Sequence, residues 1–476
     1  MAATATERKL LIGGEWVDTG EWVDVASPYS DEVVGRVPKA TAEHARDAVA
    51  AAERAMRDPL PAHKRAEILV RVAGYLGKRH EEAAQLVSAE AGKPLKQARV
   101  EVSRAMSTYT FSAVEARKLA GEMVPMDASQ AGVGKLGLTL RAPIGIVGAI
   151  SPFNFPLNLV AHKIAPALAA GCAVVLKPAS QTPLSALFLA ELETEAGLPP
   201  GWLNVVAGPA AEIGDVLVEE ERVKAISFTG SSDVGWRLRE RAARKRVLLE
   251  LGNSTPVIVQ GDADLDAAAE KLAVNSFSFA GQSCISTQRI YVQKWVFDDF
   301  VERFVPRVEE LNVGDPADEE TDIGPVVDDE ARDRILSWLD EARAGGAQIL
   351  TGGTVEEGRV LRPTVLTNVN LDMKVCREEV FGPVVTVQPF DALDDAIQLA
   401  NGTRYGLQAG IFTASLSAAF RAAQMLRFGG VTINETPTFR ADQMPYGGTK
   451  DSGNTREGPA YAVRELTEER VVVVEL

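Results

Sequence analysis

The sequence has little of the chemistry that builds disulfide frameworks or metal sites. Its 476 residues include three cysteines and four histidines. The cysteines lie far apart, and an odd number of them argues against a set of disulfide pairs. A reducing, cytoplasmic setting fits this composition better. No two of these side chains are close enough in sequence to form a metal-ligating pair, so we expect no metal site.

Positive charge is also scarce. There are 50 Lys and Arg residues against 66 Asp and Glu residues, which gives a net charge of −16. Such a surface repels a phosphate backbone, so nucleic acid is not expected as a main partner. The uncharged run at 142–162 contains prolines that break helical hydrogen bonding, so it predicts a buried strand and a loop rather than a membrane span. The first residues lack the apolar core of a secretory signal.

Hydrophobic residues make up 46% of the chain, and the length fits two or three domains with large cores. From Ile144 onward, short apolar runs alternate with helical segments, which predicts a parallel sheet covered on both faces. This is the doubly wound arrangement of dinucleotide-binding domains, although the fingerprint GxGxxG is absent. The helices are expected to begin near Leu157, Pro183, Ala210 and Ser231.

The regions on either side of this pattern are also structured. Short strands fill the first 40 or so residues, and a helix follows Thr41. An amphipathic pattern at 61–92 is expected to break near Gly74 or Gly77, and a further helix runs over 94–121. A second α/β series starts after residue 252. The apolar chain end at 470–476 is expected to pair with another element or another subunit.

Three residues have the chemistry of a covalent active site. Cys284 lies among small polar residues in FAGQSCISTQ, where a thiol could act as a nucleophile. Glu250 ends the apolar strand VLLEL, where a carboxylate could act as a general base. Asn154 in SPFNFP could donate to an oxyanion. Taken singly, each is more often a core cysteine, a surface glutamate or a turn residue.

The motifs SPFNFP, KPASQTP, FTGSSDVG, LELGNS, GQSC and EEVFGPV occur in this order along the chain. Together they closely resemble the aldehyde dehydrogenase superfamily, from about Gly13 to Arg470. The resemblance implies that Cys284 attacks the aldehyde carbon and that Asn154 and the Cys284 backbone N–H hold the oxyanion. Hydride transfer to NAD(P)+ then leaves a thioacyl enzyme, and Glu250 activates the water that hydrolyses it.

The resemblance also implies a cofactor site. Lys177 is matched to the adenosine ribose and Glu379 to the nicotinamide ribose, and Ser180 replaces a glutamate that is common in NAD-selective members. A carboxylate there would repel the extra phosphate of NADP, so we expect NADP to be tolerated beside NAD. The remaining residues matched to the cofactor site are Ser151, Phe153, Gly230, Ser231, Gly252 and Phe381.

The expected substrate is a small or medium aldehyde with a polar or acidic end. Arg440 either reaches this substrate or only braces its loop through a salt bridge. The sequence departs from the family pattern at Asn253 and Asn454, where glycine is common. The residues matched to the substrate pocket are Phe155, Asn158, His162, Phe277, Ser278, Ser283, Arg440 and Tyr446.

The resemblance further implies an architecture of three parts. We expect a dinucleotide-binding domain at 1–121 and 142–251, a catalytic α/β domain at 252–440, and a small β oligomerisation arm with the C-terminal segment at 122–141 and 441–476. The arm implies a homodimer or homotetramer.

Three alternatives stay open. In a CoA-acylating dehydrogenase, CoA would replace water. A non-redox cysteine esterase would use the same thiol and oxyanion site without dinucleotide. An inactive scaffold would serve only binding.

Overall fold

The computed structural model describes residues 6–476 of the chain. Its first half contains strands β1 (Thr6–Glu7), β2 (Leu10–Ile12), β3 (Glu15–Val17), β4 (Trp22–Ala26), β5 (Val33–Pro38), β6 (Met123–Val124), β7 (Lys135–Pro143), β8 (Ile146–Ile150), β9 (Val174–Lys177), β10 (Leu203–Val205), β11 (Val223–Thr229) and β12 (Arg246–Glu250). The helices of this half are α1 (Ala42–Ala55), α2 (Ala62–Lys78), α3 (His80–Ala91), α4 (Leu95–Lys118), α5 (Asn158–Ala170), α6 (Leu184–Glu195), α7 (Ala210–Glu219) and α8 (Ser232–Arg241).

The second half continues the alternation of strands and helices. Its strands are β13 (Thr255–Val259), β14 (Thr287–Gln293), β15 (Gln348–Thr351), β16 (Val355–Glu357), β17 (Val360–Leu361), β18 (Thr364–Thr367), β19 (Val384–Phe390), β20 (Gln408–Phe412), β21 (Gly430–Ile433) and β22 (Thr467–Glu475). Its helices are α9 (Leu265–Phe277), α10 (Phe297–Glu309), α11 (Asp329–Ala344), α12 (Lys374–Arg377), α13 (Leu393–Asn401), α14 (Leu416–Met425) and α15 (Pro459–Glu465). Single 3₁₀ turns lie at Met126–Ala128, Gln130–Gly132, Ser278–Gly281, Lys294–Val296 and Lys450–Ser452.

The first large sheet has the strand order β12-β11-β8-β9-β10-β2-β3. Strands β8 to β12 pair in parallel, whereas β2 is antiparallel to β10. From β8 the chain moves outward to β9 and β10, then crosses back to β11 on the other side of β8. The strand order therefore reverses between β8 and β11, and a crevice at such a point is where doubly wound sheets bind ligands. The predicted α/β fold is confirmed.

The second large sheet has the order β15-β18-β19-β14-β13-β20-β21, and only β15 runs antiparallel to its neighbour. Cys284 lies just before β14, whose side chains are almost all buried. The apolar core of this sheet is drawn from residues 257–412, and that of the first sheet from residues 10–251 together with Val463 and Leu466. Helix α15, part of the expected C-terminal segment, therefore packs into the first core.

The chain end pairs within the chain. Strand β22 runs antiparallel along the whole of β7, from Thr467 opposite Pro143 to Glu475 opposite Lys135, and β6 pairs on the other side of β7. This confirms that the apolar end pairs with another element. Two smaller sheets, β1-β5-β4 and β16-β17, lie elsewhere.

The expected helix break near Gly74 or Gly77 is wrong. Helix α2 passes through both glycines, and the break falls at Arg79, whose φ of −109° and ψ of 28° are not helical. Gly77 serves packing instead, since a Cβ there would lie 3.1 Å from the terminal methyl of Met106. Over residues 6–476, no helix combines the length and the apolar character needed to cross a membrane.

Candidate active site

The loop that carries Cys284 is bent by consecutive residues in the left-handed region. Phe279 and Ala280 have φ values of 51° and 52°, and Gly281 follows at 69°. Such angles are costly for residues other than glycine and persist only where surrounding contacts hold them. One such contact comes from Gln97 of α4, whose Oε1 accepts the Phe279 backbone N–H at 2.8 Å. The bend turns the following residues toward the end of β8.

Asn154 lies in the loop that follows β8 and is 3% exposed. Its Nδ2 donates to the backbone carbonyl of Gln282 at 2.9 Å. Gln282 is only two positions before Cys284. The structure thus brings the predicted oxyanion donor directly against the backbone that carries the predicted nucleophile.

The Cys284 sulfur lies 2.8 Å from the hydroxyl oxygen of Tyr446. Burial raises the pKa of the thiol to about 12, while the hydrogen bond with Tyr446 acts in the opposite direction. The Arg440 guanidinium lies over the Tyr446 ring, 3.7 Å from its centroid, and also lowers the pKa of Cys284. The thiol is therefore neutral at rest, with a cation and a hydrogen-bonding hydroxyl beside it.

Glu250, at the end of β12, is a buried carboxyl group. Neither of its carboxylate oxygens has a hydrogen-bond partner within the described part of the chain. Burial raises its pKa well above the usual range, nearby Glu457 adds to this, and Arg440 and Lys163 oppose it. A Cβ on Gly447 would lie 2.6 Å from Oε1, so the carboxyl group packs directly on that backbone. An unpaired buried carboxyl group is costly, and both oxygens of this one are uncommitted.

Several hydrogen-bond donors lie at the carboxyl ends of β8, β9 and β11, where a doubly wound sheet binds a dinucleotide. Lys177, at the end of β9, donates through Nζ to the Pro178 carbonyl at 2.8 Å, and exposed Ser180 lies 3.5 Å away. Burial lowers the pKa of Lys177 to about 8. Ser231 caps α8, where free N–H groups favour phosphate. The hydroxyl of Ser151 is buried and has no partner among residues 6–476. These donors fit the ribose and pyrophosphate of NAD(P).

A second group of predicted cofactor residues meets at the edge nearer Glu250. The Glu379 carboxylate accepts the Asn253 backbone N–H at 2.9 Å and lies so close to Gly252 that a Cβ there would collide with it. Burial raises the pKa of Glu379 to about 7. Phe153 and Phe381 meet edge to face with centroids 5.8 Å apart. Gly230, another predicted cofactor residue, donates its N–H to the backbone carbonyl of Glu250.

A cavity of about 390 Å³ opens beside Cys284. Most of the residues expected in the substrate pocket line it: Phe155, Asn158, Ser278, Ser283, Arg440 and Tyr446.

Two expected pocket residues lie elsewhere. Phe277 ends α9 and is fully buried in the second core, because the bend at Ser278–Gly281 turns the chain away only after it. His162 lies behind the residues that line the cavity. Its Nε2 is 3.1 Å from Asp442 Oδ1 and 3.3 Å from Arg440 Nη2. Both assignments to the pocket surface are therefore wrong.

Helix α4 supplies pocket residues that the sequence analysis missed. Arg104 donates to Asp442 at 3.0 Å, and Glu101 is almost fully buried in the wall. The available signal was the spacing of Gln97, Glu101 and Arg104, which places them on one helix face. The missed lining residues are Lys93, Gln97, Val100, Glu101, Leu159, Arg104, Asn275, Phe279, Ile285, Thr438 and Phe439.

Arg440 makes the salt bridge that was one of the two alternatives left open by the sequence, and it also faces the cavity. Its Nη2 donates to Glu457 at 3.0 Å, which braces the loop, and the same side chain lines the cavity.

The two asparagines that replace family glycines have structural partners. Asn454 accepts the Leu249 N–H at 2.9 Å and donates to the Val247 carbonyl at 3.0 Å, so it pairs with the free edge of β12. Asn253 lies outside the left-handed region and donates to Thr255 and to the Gln408 carbonyl. Neither position needs glycine here.

Comparison with known proteins agrees with this geometry. Residues 16–472 match the model of the aldehyde dehydrogenase family. The chain is 45% identical to a 3-sulfolactaldehyde dehydrogenase of Priestia megaterium over 98% of both chains. It is 40% identical to the succinate-semialdehyde dehydrogenase [NADP(+)] GabD of Escherichia coli over 98% of both chains.

A crystal structure of aldehyde dehydrogenase 21 from Physcomitrella patens, in complex with the reaction product succinate, superposes with a TM-score of 0.96 at 40% identity, covering 99% of both chains. The chain therefore belongs to the aldehyde dehydrogenase family and is an NAD(P)-dependent enzyme that oxidises aldehydes to carboxylic acids.

Proposed function

We propose that Cys284 is the nucleophile of this oxidation and that Asn154 is the oxyanion donor. The thiol releases its proton to water, the sulfur bonds to the aldehyde carbon, and the carbonyl oxygen becomes an oxyanion. The contact between Asn154 Nδ2 and the Gln282 carbonyl carries this assignment, because it places an amide donor beside the Cys284 backbone. NAD(P)+, when bound, accepts the hydride that leaves this carbon.

The thioacyl group left on Cys284 is removed by water. Glu250 takes a proton from that water as the oxygen attacks the thioacyl carbon. The carbon–sulfur bond then breaks, the thiolate takes up a proton from solvent to become a thiol, and Glu250 releases its own proton to solvent. The absence of any hydrogen-bond partner for the Glu250 carboxylate within the described residues supports this role, since neither oxygen is committed to another group. Burial and Glu457 favour the neutral form of Glu250 by raising its pKa, whereas Arg440 and Lys163 favour the ionised form that a base requires.

The cofactor site accepts NADP as well as NAD. Ser180 is exposed next to Lys177, so a phosphate on the adenosine ribose would meet a hydroxyl and an ammonium rather than a carboxylate. The name of the Escherichia coli relative, which specifies NADP(+), is in accord with this.

The substrate is a small aldehyde with an acidic end. Arg104 and Arg440 line the cavity beside Cys284 and present guanidinium groups, which suit carboxylate, sulfonate or phosphate. Asp442 orients Arg104, and Glu457 orients Arg440. The relatives named for sulfolactaldehyde and succinate semialdehyde act on aldehydes of this kind.

This substrate assignment is tested with matched acidic and neutral aldehydes. In Arg104→Met, KM for succinate semialdehyde should rise about tenfold or more, as a lost charged hydrogen bond implies, while KM for butyraldehyde stays within about twofold. Arg99→Met, on the same helix but paired with Glu81 and Glu319 at the surface, is the control. Equal effects on both aldehydes would contradict an acidic substrate end.

The sheet β22-β7-β6 is the proposed oligomerisation arm, and the large sheets are the proposed dinucleotide-binding and catalytic domains. Val471, Val473 and Leu140 are exposed on this arm, which is uncommon for so many large apolar side chains on a small sheet. We therefore infer a homodimer or homotetramer. The three free cysteines fit a reducing, cytoplasmic setting. Light scattering after size exclusion should give two or four copies, and Val471→Glu with Val473→Glu should reduce that number.

A further inference from the structure

Lys93 joins the two loops that carry the reacting groups. Its Nζ lies 3.7 Å from the ring centroid of Phe155 and 4.5 Å from that of Phe279. Phe155 follows Asn154 directly, and Phe279 stands in the left-handed bend before Cys284. The ammonium group is thus shared by one aromatic ring from each loop, an attractive arrangement in a site that excludes water.

The partner of Lys93 holds the same region. Lys93 forms a buried ion pair with Glu101, and both side chains are almost fully buried. The other oxygen of Glu101 accepts the backbone N–H groups of Leu157 and Asn158 at 2.9 and 3.1 Å. These are the first N–H groups of α5, so Glu101 fixes the far end of the loop that carries Asn154.

Gln97 completes this set of contacts. It accepts the Phe279 N–H and donates to the Asp322 carbonyl at 2.9 Å. One end of helix α4 therefore contacts the Asn154 loop through Glu101 and the Cys284 loop through Gln97. Lys93 contacts both loops at once.

We propose that Lys93, with Glu101, is a positioning pair that sets the distance between the Asn154 amide and the Cys284 backbone. This inference rests on the roles proposed above for those two residues. An oxyanion donor loses its effect when it is displaced by about 1 Å, so the restraint acts on the step in which charge develops on the aldehyde oxygen. Lys93 acts through Asn154 and does not need to touch the substrate.

The test is a double-mutant cycle on the first turnover. The double variant Lys93→Met with Glu101→Gln removes both charges, so no unpaired charge stays buried. The side-chain oxygen of the new glutamine can still accept the backbone N–H groups at the start of α5. In the wild-type background, these two substitutions should slow the single-turnover appearance of NADPH about tenfold or more. In the Asn154→Ala background, the same two substitutions should slow it by less than about twofold. Lys93→Arg, which keeps a cation between the rings, should restore most of the rate. Lys78→Met, an exposed lysine over Tyr75, is the control.

Each other outcome overturns the proposal. An equal loss in both backgrounds means that Lys93 does not act through Asn154. A rise in KM that is confined to acidic aldehydes makes Lys93 a substrate contact instead. If Asn154→Ala itself has no effect, the oxyanion role fails and the positioning role fails with it. If Cys284→Ala retains turnover, the proposed nucleophile is wrong. This failure is separate from a failure of the positioning role, because it is seen without any Lys93 variant. Unchanged dissociation constants for NADP in all variants show that the cofactor site is intact.

Discussion

The Cys284 sulfur and the Tyr446 hydroxyl lie 2.8 Å apart, in a site where burial raises the pKa of the thiol to about 12. The hydroxyl stabilises the thiolate directly, since its hydrogen bond lowers the pKa of Cys284. Arg440, stacked on the same ring, acts in the same direction.

Tyr446→Phe should therefore make Cys284 less reactive. Loss of the hydroxyl raises the thiol pKa further, so the rate of alkylation by iodoacetamide at pH 8 should fall, and its rise with pH should move to higher pH. Tyr75→Phe, on α2 far from the site, serves as the control. A faster alkylation in Tyr446→Phe would mean that the tyrosine shields the sulfur rather than activating it.

Glu250→Gln should separate the two halves of the reaction. The first turnover of reduced cofactor should persist, while steady-state turnover falls about a hundredfold or more, since only deacylation needs the base. In the wild type, steady-state turnover should rise with pH as this raised-pKa carboxyl group ionises. Glu240→Gln on exposed α8 should behave like wild type. Parallel loss of both phases would refute the assignment of Glu250 as the deacylating base.

Ser180→Glu should change cofactor preference. A carboxylate beside Lys177 would repel the 2′-phosphate, so the dissociation constant for NADP should rise about tenfold or more while that for NAD changes little. Ser180→Ala, which removes the hydroxyl without adding charge, should retain NADP binding. If the ratio of the dissociation constants for NADP and NAD is unchanged in Ser180→Glu, residue 180 does not set cofactor preference.

Cofactor affinity should depend on the protonation of Lys177. Burial lowers the pKa of this lysine to about 8, so its ammonium group is lost as pH rises through that value. Binding should be tightest below pH 8 and weaken above it, as tryptophan fluorescence titrations at several pH values would show. In Lys177→Met this dependence should disappear, with weak binding throughout. A wild-type affinity that is flat between pH 7 and 9 would contradict it.

Local sequence patterns were sufficient for most of the fold. The apolar runs predicted the parallel strands, and α5, α6, α7 and α8 begin within one residue of the expected positions. These runs are buried on both faces, so their composition reports their environment directly. The break at Arg79 was missed because helix α2 accommodates both glycines, and Gly77 packs closely against Met106 of α4, which no local signal encodes.

The active site divides in the same way. Cys284, Glu250 and Asn154 could be proposed from the sequence because each stands in a distinctive motif near the end or start of a strand. Lys93 and Glu101 were missed, since they look like ordinary exposed charged residues until tertiary packing buries them, and the spacing of the α4 residues marks a shared face without placing it at the site. Phe277 was misplaced because two left-handed residues after it redirect the chain, a turn that Phe279 and Ala280 do not signal by type.

The covalent state of Cys284 during turnover tests directly whether this residue is the nucleophile. Glu250→Gln is mixed with NADP and succinate semialdehyde, quenched in acid after the first turnover, digested and analysed by mass spectrometry. We expect one succinyl group per subunit on the peptide that contains Cys284, formed together with one NADPH. Formation of NADPH with an unmodified Cys284, or an acyl group on another residue, would contradict it.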